Sequence, residues 1–176
     1  NAMVRKALGD SKKVGFNVHS ATYASVEYIK KIAEGITVVD ASSGISDTVS
    51  VKDEKEIEAT RKACRISSKV AGEIPGMLKA GITEKEVASM MDNRMRELGG
   101  TGNAFDTIAA FGESASQPHY SPGDRKLKSG DVALFDFGTK YDMYCSDMTR
   151  TVFFGEPPAV LRRAYEVVRE AQQLGF

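Results

Sequence analysis

Two aspartates, Asp136 and Asp147, lie on the two arms of a predicted β-hairpin, FDFGTKYDMYCSDMTRT, at residues 135–151. If Tyr141 and Asp142 form a two-residue turn, the aspartates lie directly opposite each other, and a loop two residues longer makes them diagonal neighbours. Cβ atoms are about 4.5–5.5 Å apart in opposed pairs and about 7–8 Å apart in diagonal pairs. Both registers put two carboxylates on one face of a sheet that we expect to be buried, and such a pair is costly without a partner. A divalent metal, or a pair of metals bridged by a carboxylate, would remove that cost.

Other interpretations of the two aspartates stay open at this point. Asp136 could form an ion pair with Arg150 or Lys140, and Asp147 could be a turn or edge residue. The two carboxylates could also share one proton as an acid/base dyad. The tripeptide Asp-Phe-Gly that begins at Asp136 is also the metal-binding tripeptide of protein kinases. The chain has neither a Gly-rich phosphate loop before it nor a His-Arg-Asp catalytic loop, which argues against a kinase.

The composition is that of a globular protein and argues against several classes of partner. Of 176 residues, 41% are hydrophobic and 27% charged, and 24 Lys and Arg balance 24 Asp and Glu. No basic block suggests nucleic acid, no apolar run is long enough for a membrane span, and no signal peptide is expected. The leading Asn1-Ala2 is interpreted as a tag-cleavage scar. We expect a cytoplasmic protein in which Cys64 and Cys145 are reduced and buried.

The first segment has a strand–helix–strand pattern. Residues 14–18 and 36–39 are β-like runs, and residues 22–33 carry apolar side chains at helical spacing. This βαβ-sized piece is too small to bury a core by itself. The Ser- and Gly-rich stretch at 41–50 is predicted to be a linker.

Two helices follow, each with a capping-box pattern at its start: Asp53 with Glu56, and Thr83 with Glu86. The first is expected to end or break at Pro75 and the glycine after it. The apolar faces expected to be buried are formed by Ile57, Cys64, Ala71 and Ile74 in the first helix, and by Val87, Met91, Met95 and Leu98 in the second.

The second half of the chain contains several stretches whose residues favour β-strands. Strands are predicted at 105–111, 132–137 and 145–154, with a loop at 112–123. A third helix is predicted after the Pro-Pro pair at 157–158. Its apolar side is formed by Val160, Leu161, Ala164, Val168, Ala171 and Leu174.

Three segments carry a resemblance to a known family, in the family's order. GDVALFDFGTKYDMYCSDMTRT resembles the strand-hairpin signature of the pita-bread metallopeptidases, which include Xaa-Pro dipeptidases (prolidases), Xaa-Pro aminopeptidases and methionine aminopeptidases, with creatinase as a metal-free relative. FDTIAAFGESASQPHY resembles the segment that carries an active-site histidine. KDEKEIEATRKACRIS resembles the helix that opens the catalytic domain. The resemblance covers residues 52–176.

The resemblance implies an α+β fold, the first half of a pita-bread (creatinase/aminopeptidase) fold with helices packed on an antiparallel sheet. Residues 52–176 would be the first half of the catalytic domain, and residues 1–45 the C-terminal remnant of a creatinase-like N-terminal domain. That remnant and the Pro-His-Tyr tripeptide around His119 resemble the proline-directed branch. Creatinase lacks the metal aspartates that this chain keeps.

The resemblance also implies roles for three residues. Asp136 and Asp147 match the aspartate ligands of a dinuclear metal site, in which Asp147 bridges both metals and Asp136 holds one. His119 matches the histidine that contacts substrate and steadies the tetrahedral intermediate. His19 has no such context and is expected to be structural or solvent-facing. The family's remaining ligands, one His and two Glu, follow the aspartate pair, and this chain has no His after Asp147.

The function implied is metal-dependent hydrolysis of Xaa-Pro peptide bonds, by dipeptidase or aminopeptidase action, in an intact parent protein with two Mn, Co or Zn ions. This chain alone is expected to be an inactive fragment that binds metal weakly or not at all and forms a homo-oligomer through exposed apolar surface. The alternative is a non-catalytic pita-bread module that binds proteins. Met143, where the family often has Gly, argues against a tight primed turn at Asp142-Met143.

Overall fold

The computed structural model describes residues 2–33 and 35–175. Its contacts divide the chain into two compact units, Asn1–Asp53 and Glu54–Phe176. The elements of the first unit are α1 (Ala2–Leu8), β1 (Lys13–Phe16), α2 (Tyr23–Ile32), β2 (Thr37–Asp40) and α3 (Ser42–Ser50).

The βαβ prediction for the first unit is confirmed. Strands β1 and β2 pair in parallel, with Val14 opposite Val38. The connecting helix α2 begins after Thr22, whose side chain accepts a hydrogen bond from the backbone N–H of Ser25. This is the usual way in which a threonine satisfies one of the free N–H groups of a helix start.

The prediction of a linker at 41–50 is wrong, because α3 is a helix over Ser42–Ser50. Asp40 accepts hydrogen bonds from the N–H and the hydroxyl of Ser42, which stabilises the start of this helix. The hydroxyl and backbone hydrogen bonds of Ser42 lower the pKa of the Asp40 carboxyl. Two further hydroxyls, of Thr48 and Ser50, donate to carbonyls four residues earlier, so these polar side chains find their hydrogen-bond partners within the helix.

The second unit contains three helices, two small antiparallel sheets and a 3₁₀ helix. Its elements are α4 (Glu54–Met77), α5 (Glu84–Glu97), β3 (Gly102–Asn103), β4 (Ile108–Phe111), the 3₁₀ helix Gly112–Ser116, β5 (Val132–Phe137), β6 (Thr139–Tyr141), β7 (Tyr144–Cys145), β8 (Met148–Phe153) and α6 (Ala159–Leu174). The strand orders are β3-β6-β7 and β4-β5-β8. The capping box of Thr83 and Glu86 is present at the start of α5, and the hydrogen bonds from the backbone N–H and hydroxyl of Thr83 lower the pKa of Glu86.

The core of the second unit lies between the helix pair α4–α5 and one face of the β4-β5-β8 sheet. Strand β5 contributes Phe135 and Phe137, and β4 contributes Phe111, whose ring meets that of Phe135 edge to face at 6.3 Å. Facing them are Met91 and Met95 of α5, both fully buried. Helices packed on an antiparallel sheet are the α+β arrangement that the sequence predicts, and that prediction is confirmed.

Part of the predicted buried face of α4 is wrong. Its buried face is formed by Ala59, Ala63, Ile66, Ser67, Val70 and Ile74. Cys64 lies beside this stripe and is exposed, and Cys145 at the hairpin edge is exposed too, so the predicted burial of both thiols does not occur. Pro75 lies within the last turn, and the helix ends two residues later at Met77, next to the predicted end at Pro75 and the following glycine. A proline here removes one intrahelical hydrogen bond, because it has no N–H to donate to the carbonyl of Ala71.

Helix α6 forms where it was predicted, but none of its described residues is buried. It touches the sheet through Tyr165, whose ring packs edge to face on Phe153 of β8 at 5.6 Å. Val160, Val168 and Leu174 are among its exposed apolar side chains.

Candidate active site

Asp136 lies on the face of β5 that points away from the core. Along this strand buried and half-buried residues alternate, so that Phe135 and Phe137 face the helices while Leu134 and Asp136 face the other way. Successive side chains of a strand point to opposite faces, so the two buried phenylalanines fix the direction of the carboxylate between them.

The hairpin register makes Asp147 a diagonal neighbour of Asp136. Asp136 is directly opposite Thr149, two residues after Asp147. Between Asp147 and the turn of the hairpin the register is the same, because the N–H of Ser146 donates to the carbonyl of Thr139 at 2.9 Å. Of the two arrangements open from the sequence, the diagonal one is present and the directly opposed one is wrong.

The turn of this hairpin is a tight one at Asp142-Met143, flanked by the pair Tyr141 and Tyr144. Both turn residues have positive φ, 47° and 68°, as in a two-residue primed turn. Met143 does not prevent such a turn, and the prediction that it would is wrong. The register of the long strands fixes the turn position, and the methionine adopts the left-handed conformation that this position demands.

The aspartates lie on an open surface. Asp136 is half-buried and accepts a hydrogen bond from the Thr149 hydroxyl at 2.9 Å, whereas Asp147 is exposed. Arg150, a possible ion-pair partner of Asp136, donates instead to the carbonyl of Thr149. The expectation that the two carboxylates are buried is wrong for this chain. Within residues 2–33 and 35–175, no three His, Cys, Asp or Glu side chains come together to form a potential metal site.

A hydroxyl cluster ties the residue before Asp147 to helix α4. The hydroxyls of Ser67 and Ser146, both buried, are 2.7 Å apart, and Ser146 also accepts from the N–H of Thr139 at 3.0 Å. Gly138 makes this close approach possible, because a Cβ there would be 2.0 Å from the carbonyl oxygen of Ser146. The two arms are thus drawn together beside Asp147.

His119 is exposed in the loop that follows the 3₁₀ helix. The structure gives no contact that joins its side chain to either aspartate. The residues that follow His119 in this loop are held by hydrogen bonds to Glu84. Tyr120 donates to the carboxylate of Glu84 at 2.7 Å, and the N–H of Gly123 donates to the same oxygen at 2.9 Å.

Glu84 is the residue of this region that sequence reasoning missed. It is the first residue of α5 and is fully buried. An acidic residue at a helix start is common, because it interacts favourably with the helix dipole. Nothing in the local sequence distinguishes a buried Glu84 from an ordinary exposed one.

The donor chemistry of the aspartate pair fits divalent cations. Carboxylate oxygens on adjacent strands are hard ligands that Mn, Co and Zn all accept. The strand register makes two such side chains, Asp136 and Asp147, neighbours on adjacent strands. In the part of the chain that the structure describes, no helix has the length and apolar character that crossing a membrane requires.

Comparison with known proteins gives consistent matches. Residues 58–176 match the model of metallopeptidase family M24. An uncharacterized peptidase of Staphylococcus aureus (strain MSSA476) is 41% identical over 133 residues, which are 76% of this chain and 38% of that protein. The X-Pro aminopeptidase of Thermotoga maritima MSB8 superposes with a TM-score of 0.89 at 32% identity, over 97% of this chain and 49% of that one.

Two further structures agree. The prolidase of Pyrococcus furiosus gives a TM-score of 0.85 at 32% identity, and the Xaa-Pro dipeptidase of Bacillus anthracis gives 0.89 at 31% identity. Each match covers 97% of this chain and 50% or 48% of the other. The chain therefore spans less than half the length of its curated relatives and about half the length of the solved structures. The expectation of a half-length pita-bread arrangement is confirmed.

Proposed function

The chain belongs to metallopeptidase family M24, and we propose that the protein containing it hydrolyses Xaa-Pro peptide bonds in a metal-dependent reaction. The observation that carries this proposal is the pairing of Asp136 with Thr149, which makes Asp136 and Asp147 diagonal neighbours. The similarity to an X-Pro aminopeptidase and to two Xaa-Pro dipeptidases supports a proline-containing peptide as substrate.

Asp136 and Asp147 are proposed as the residues that would hold divalent ions, Mn, Co or Zn, and Asp147 would be the ligand that two ions share. Bound metals of this kind lower the pKa of water and polarise a carbonyl. The task of the protein side chains is to hold those ions in place. For Asp136, the Thr149 hydroxyl at 2.9 Å orients the carboxylate from the neighbouring strand. This matches the rule that ligands are themselves held by hydrogen bonds.

His119 is proposed to contact the substrate and to donate a hydrogen bond to the oxygen on which negative charge develops. Such a donor stabilises the transition state more than the ground state, so its removal lowers kcat.

We place residues 1–45 in a creatinase-like N-terminal domain and residues 52–176 in the first half of the catalytic domain. The 176-residue chain alone is proposed to lack activity, because two carboxylates leave most positions of a dinuclear site without protein ligands.

The test is metal content and turnover of the full-length protein with an Xaa-Pro dipeptide and a matched Xaa-Ala dipeptide. The Xaa-Pro substrate should be preferred. Asp147→Ala should release most of the metal, and His119→Ala should keep the metal while lowering kcat. Asp47→Asn, at an exposed position of α3, is the control and should match the unaltered protein.

Three results would contradict these assignments. Metal released by His119→Ala but kept by Asp147→Ala would reverse the two roles. Full metal content and turnover in the 176-residue chain would show that this chain is a complete enzyme. An intact full-length protein with neither metal nor turnover would favour the non-catalytic protein-binding alternative.

A further inference from the structure

Glu84 is a buried carboxylate to which the proposed reaction assigns no role. Its side chain has no exposed surface and accepts three hydrogen bonds. One oxygen accepts from the N–H of Phe111 at 2.8 Å. The other accepts from the hydroxyl of Tyr120 at 2.7 Å and from the N–H of Gly123 at 2.9 Å. All three donors lie 27–39 residues further along the chain.

These donors belong to one segment, residues 111–123, which carries His119. Phe111 is the last residue of β4, where the segment leaves the sheet. Tyr120 follows His119 directly, and Gly123 comes three residues later. One carboxylate therefore fixes the segment where it begins and again just after the histidine.

The cap of helix α5 does not account for Glu84. Thr83 and Glu86 already form a reciprocal capping box at this helix start, so the carboxylate of Glu84 is not needed there. Burial of a carboxylate is unfavourable unless several donors compensate it. Here all three donors described above come from the His119 segment, which points to a role in holding that segment.

The segment also docks on α5 through its backbone. The N–H of Lys85 donates to the carbonyl of Gly123, and the N–H of Glu84 donates to the carbonyl of Arg125, both at 3.2 Å. These bonds do not involve the Glu84 side chain. A change of that side chain should therefore loosen the His119 segment without removing its attachment to the fold.

We infer that Glu84 is a positioning residue for His119, acting through Tyr120 and Gly123. The inference rests on the proposed function where it concerns catalysis, and its structural part can be measured separately. Displacement of a reacting or stabilising group by about 1 Å can cost about a hundredfold in rate, so an anchor of this kind affects kcat.

Two variants perturb the anchor to different degrees. In Glu84→Gln the side chain keeps one acceptor oxygen, and its NH₂ group must face either the N–H of Phe111 or that of Gly123, so one buried donor loses its partner. Tyr120→Phe removes only one hydroxyl and keeps the ring. Glu73→Gln is the matched control, because Glu73 pairs with Arg94 between α4 and α5, away from the His119 segment.

The first measurement is hydrogen exchange in the 176-residue chain. Glu84→Gln and Tyr120→Phe should speed exchange at residues 112–123 by roughly tenfold or more, because the opening of a local segment sets its exchange rate. The Glu73→Gln control should leave this segment unchanged. Unaltered exchange there in both test variants would overturn the inference.

The second measurement is a double-mutant cycle in the full-length protein. Tyr120→Phe should lower kcat by about five- to tenfold with metal content unchanged, and by less than twofold when His119 is already alanine. A double-mutant cycle shows such coupling when one residue acts through the other. An equal loss in both backgrounds would mean a general structural role and would overturn the inference. If the unaltered protein has no turnover, the proposed function fails, and hydrogen exchange alone decides the anchoring.

Discussion

The turn at Asp142-Met143 allows a prediction whose size follows from the structure. Met143 has φ of 68° and its side chain is 80% exposed. A non-glycine residue in the left-handed region costs about 1–2 kcal/mol. Glycine avoids that cost but loses about 0.5–1 kcal/mol more backbone entropy on folding. Met143→Gly should therefore stabilise the second unit by about 0.5–1 kcal/mol.

The matched control is Met143→Ala, which removes the same exposed side chain but keeps the Cβ atom. Alanine meets the same left-handed strain as methionine, so its free energy of unfolding should stay within about 0.5 kcal/mol of the parent, as for other exposed substitutions. Asp142, with φ of 47°, stays in place in both variants, and in Met143→Gly it forms the Asp-Gly pair that two-residue hairpins prefer.

The assay is urea unfolding of the 176-residue chain at fixed concentration, supported by thermal melts. For a domain of this size the gain corresponds to an increase of about 2–5 °C in Tm. A destabilised Gly variant would refute the reasoning. So would equal stabilisation by Gly and Ala, because the gain would then come from loss of the methionine side chain and not from relief of strain.

Three further predictions follow from individual contacts. Gly138→Ala should destabilise the hairpin by roughly 2 kcal/mol or more in urea unfolding, because its Cβ would meet the carbonyl of Ser146 at 2.0 Å; unchanged stability would contradict this packing. The hydrogen bond from Arg94 lowers the pKa of Glu73, so the stabilisation of the fold by this ion pair is complete above the ordinary glutamate pKa and is lost as pH falls through the pKa of the folded state. The Tm deficit of Glu73→Gln should therefore shrink as pH falls through that range, and a deficit that is the same at every pH would contradict this prediction. The exposed apolar side chains of α6 should make the 176-residue chain self-associate. Light scattering should give a mass above 19.1 kDa that falls in Val168→Glu, whereas a monomeric parent chain would refute it.

Local signals in the sequence predict the elements on which the site is built. The capping box of Thr83 and Glu86 gives the start of α5, and the alternation of β5 gives its bounds and its two faces. Both signals depend only on neighbours within one element, which is why they can be recognised without tertiary information. The same alternation puts Asp136 on the face away from Phe135.

The errors arise where contacts between distant segments decide. Which face of α4 is buried depends on how the helix docks on the sheet, and that docking leaves Cys64 exposed beside the buried stripe. The role of Glu84 depends on donors 27–39 residues away, so no window of sequence reveals it. The sequence argues against the turn at Met143 because the local preference for glycine carries no information about the strand register, which overrides it.

The contact of both aspartates with water explains how two neighbouring carboxylates coexist in this chain. Two buried phenylalanines on either side hold Asp136 in place, and neither aspartate is buried. Near water the repulsion between two like charges is weak, about 1 kcal/mol at 4 Å. Coverage of this face by further chain would raise that cost steeply, since charges taken out of water need compensation. A divalent cation supplies that compensation, so coverage of the face and tight metal binding should be coupled. On this argument the geometry of the two aspartates is set by the residues described here, and their affinity for metal by whatever covers them.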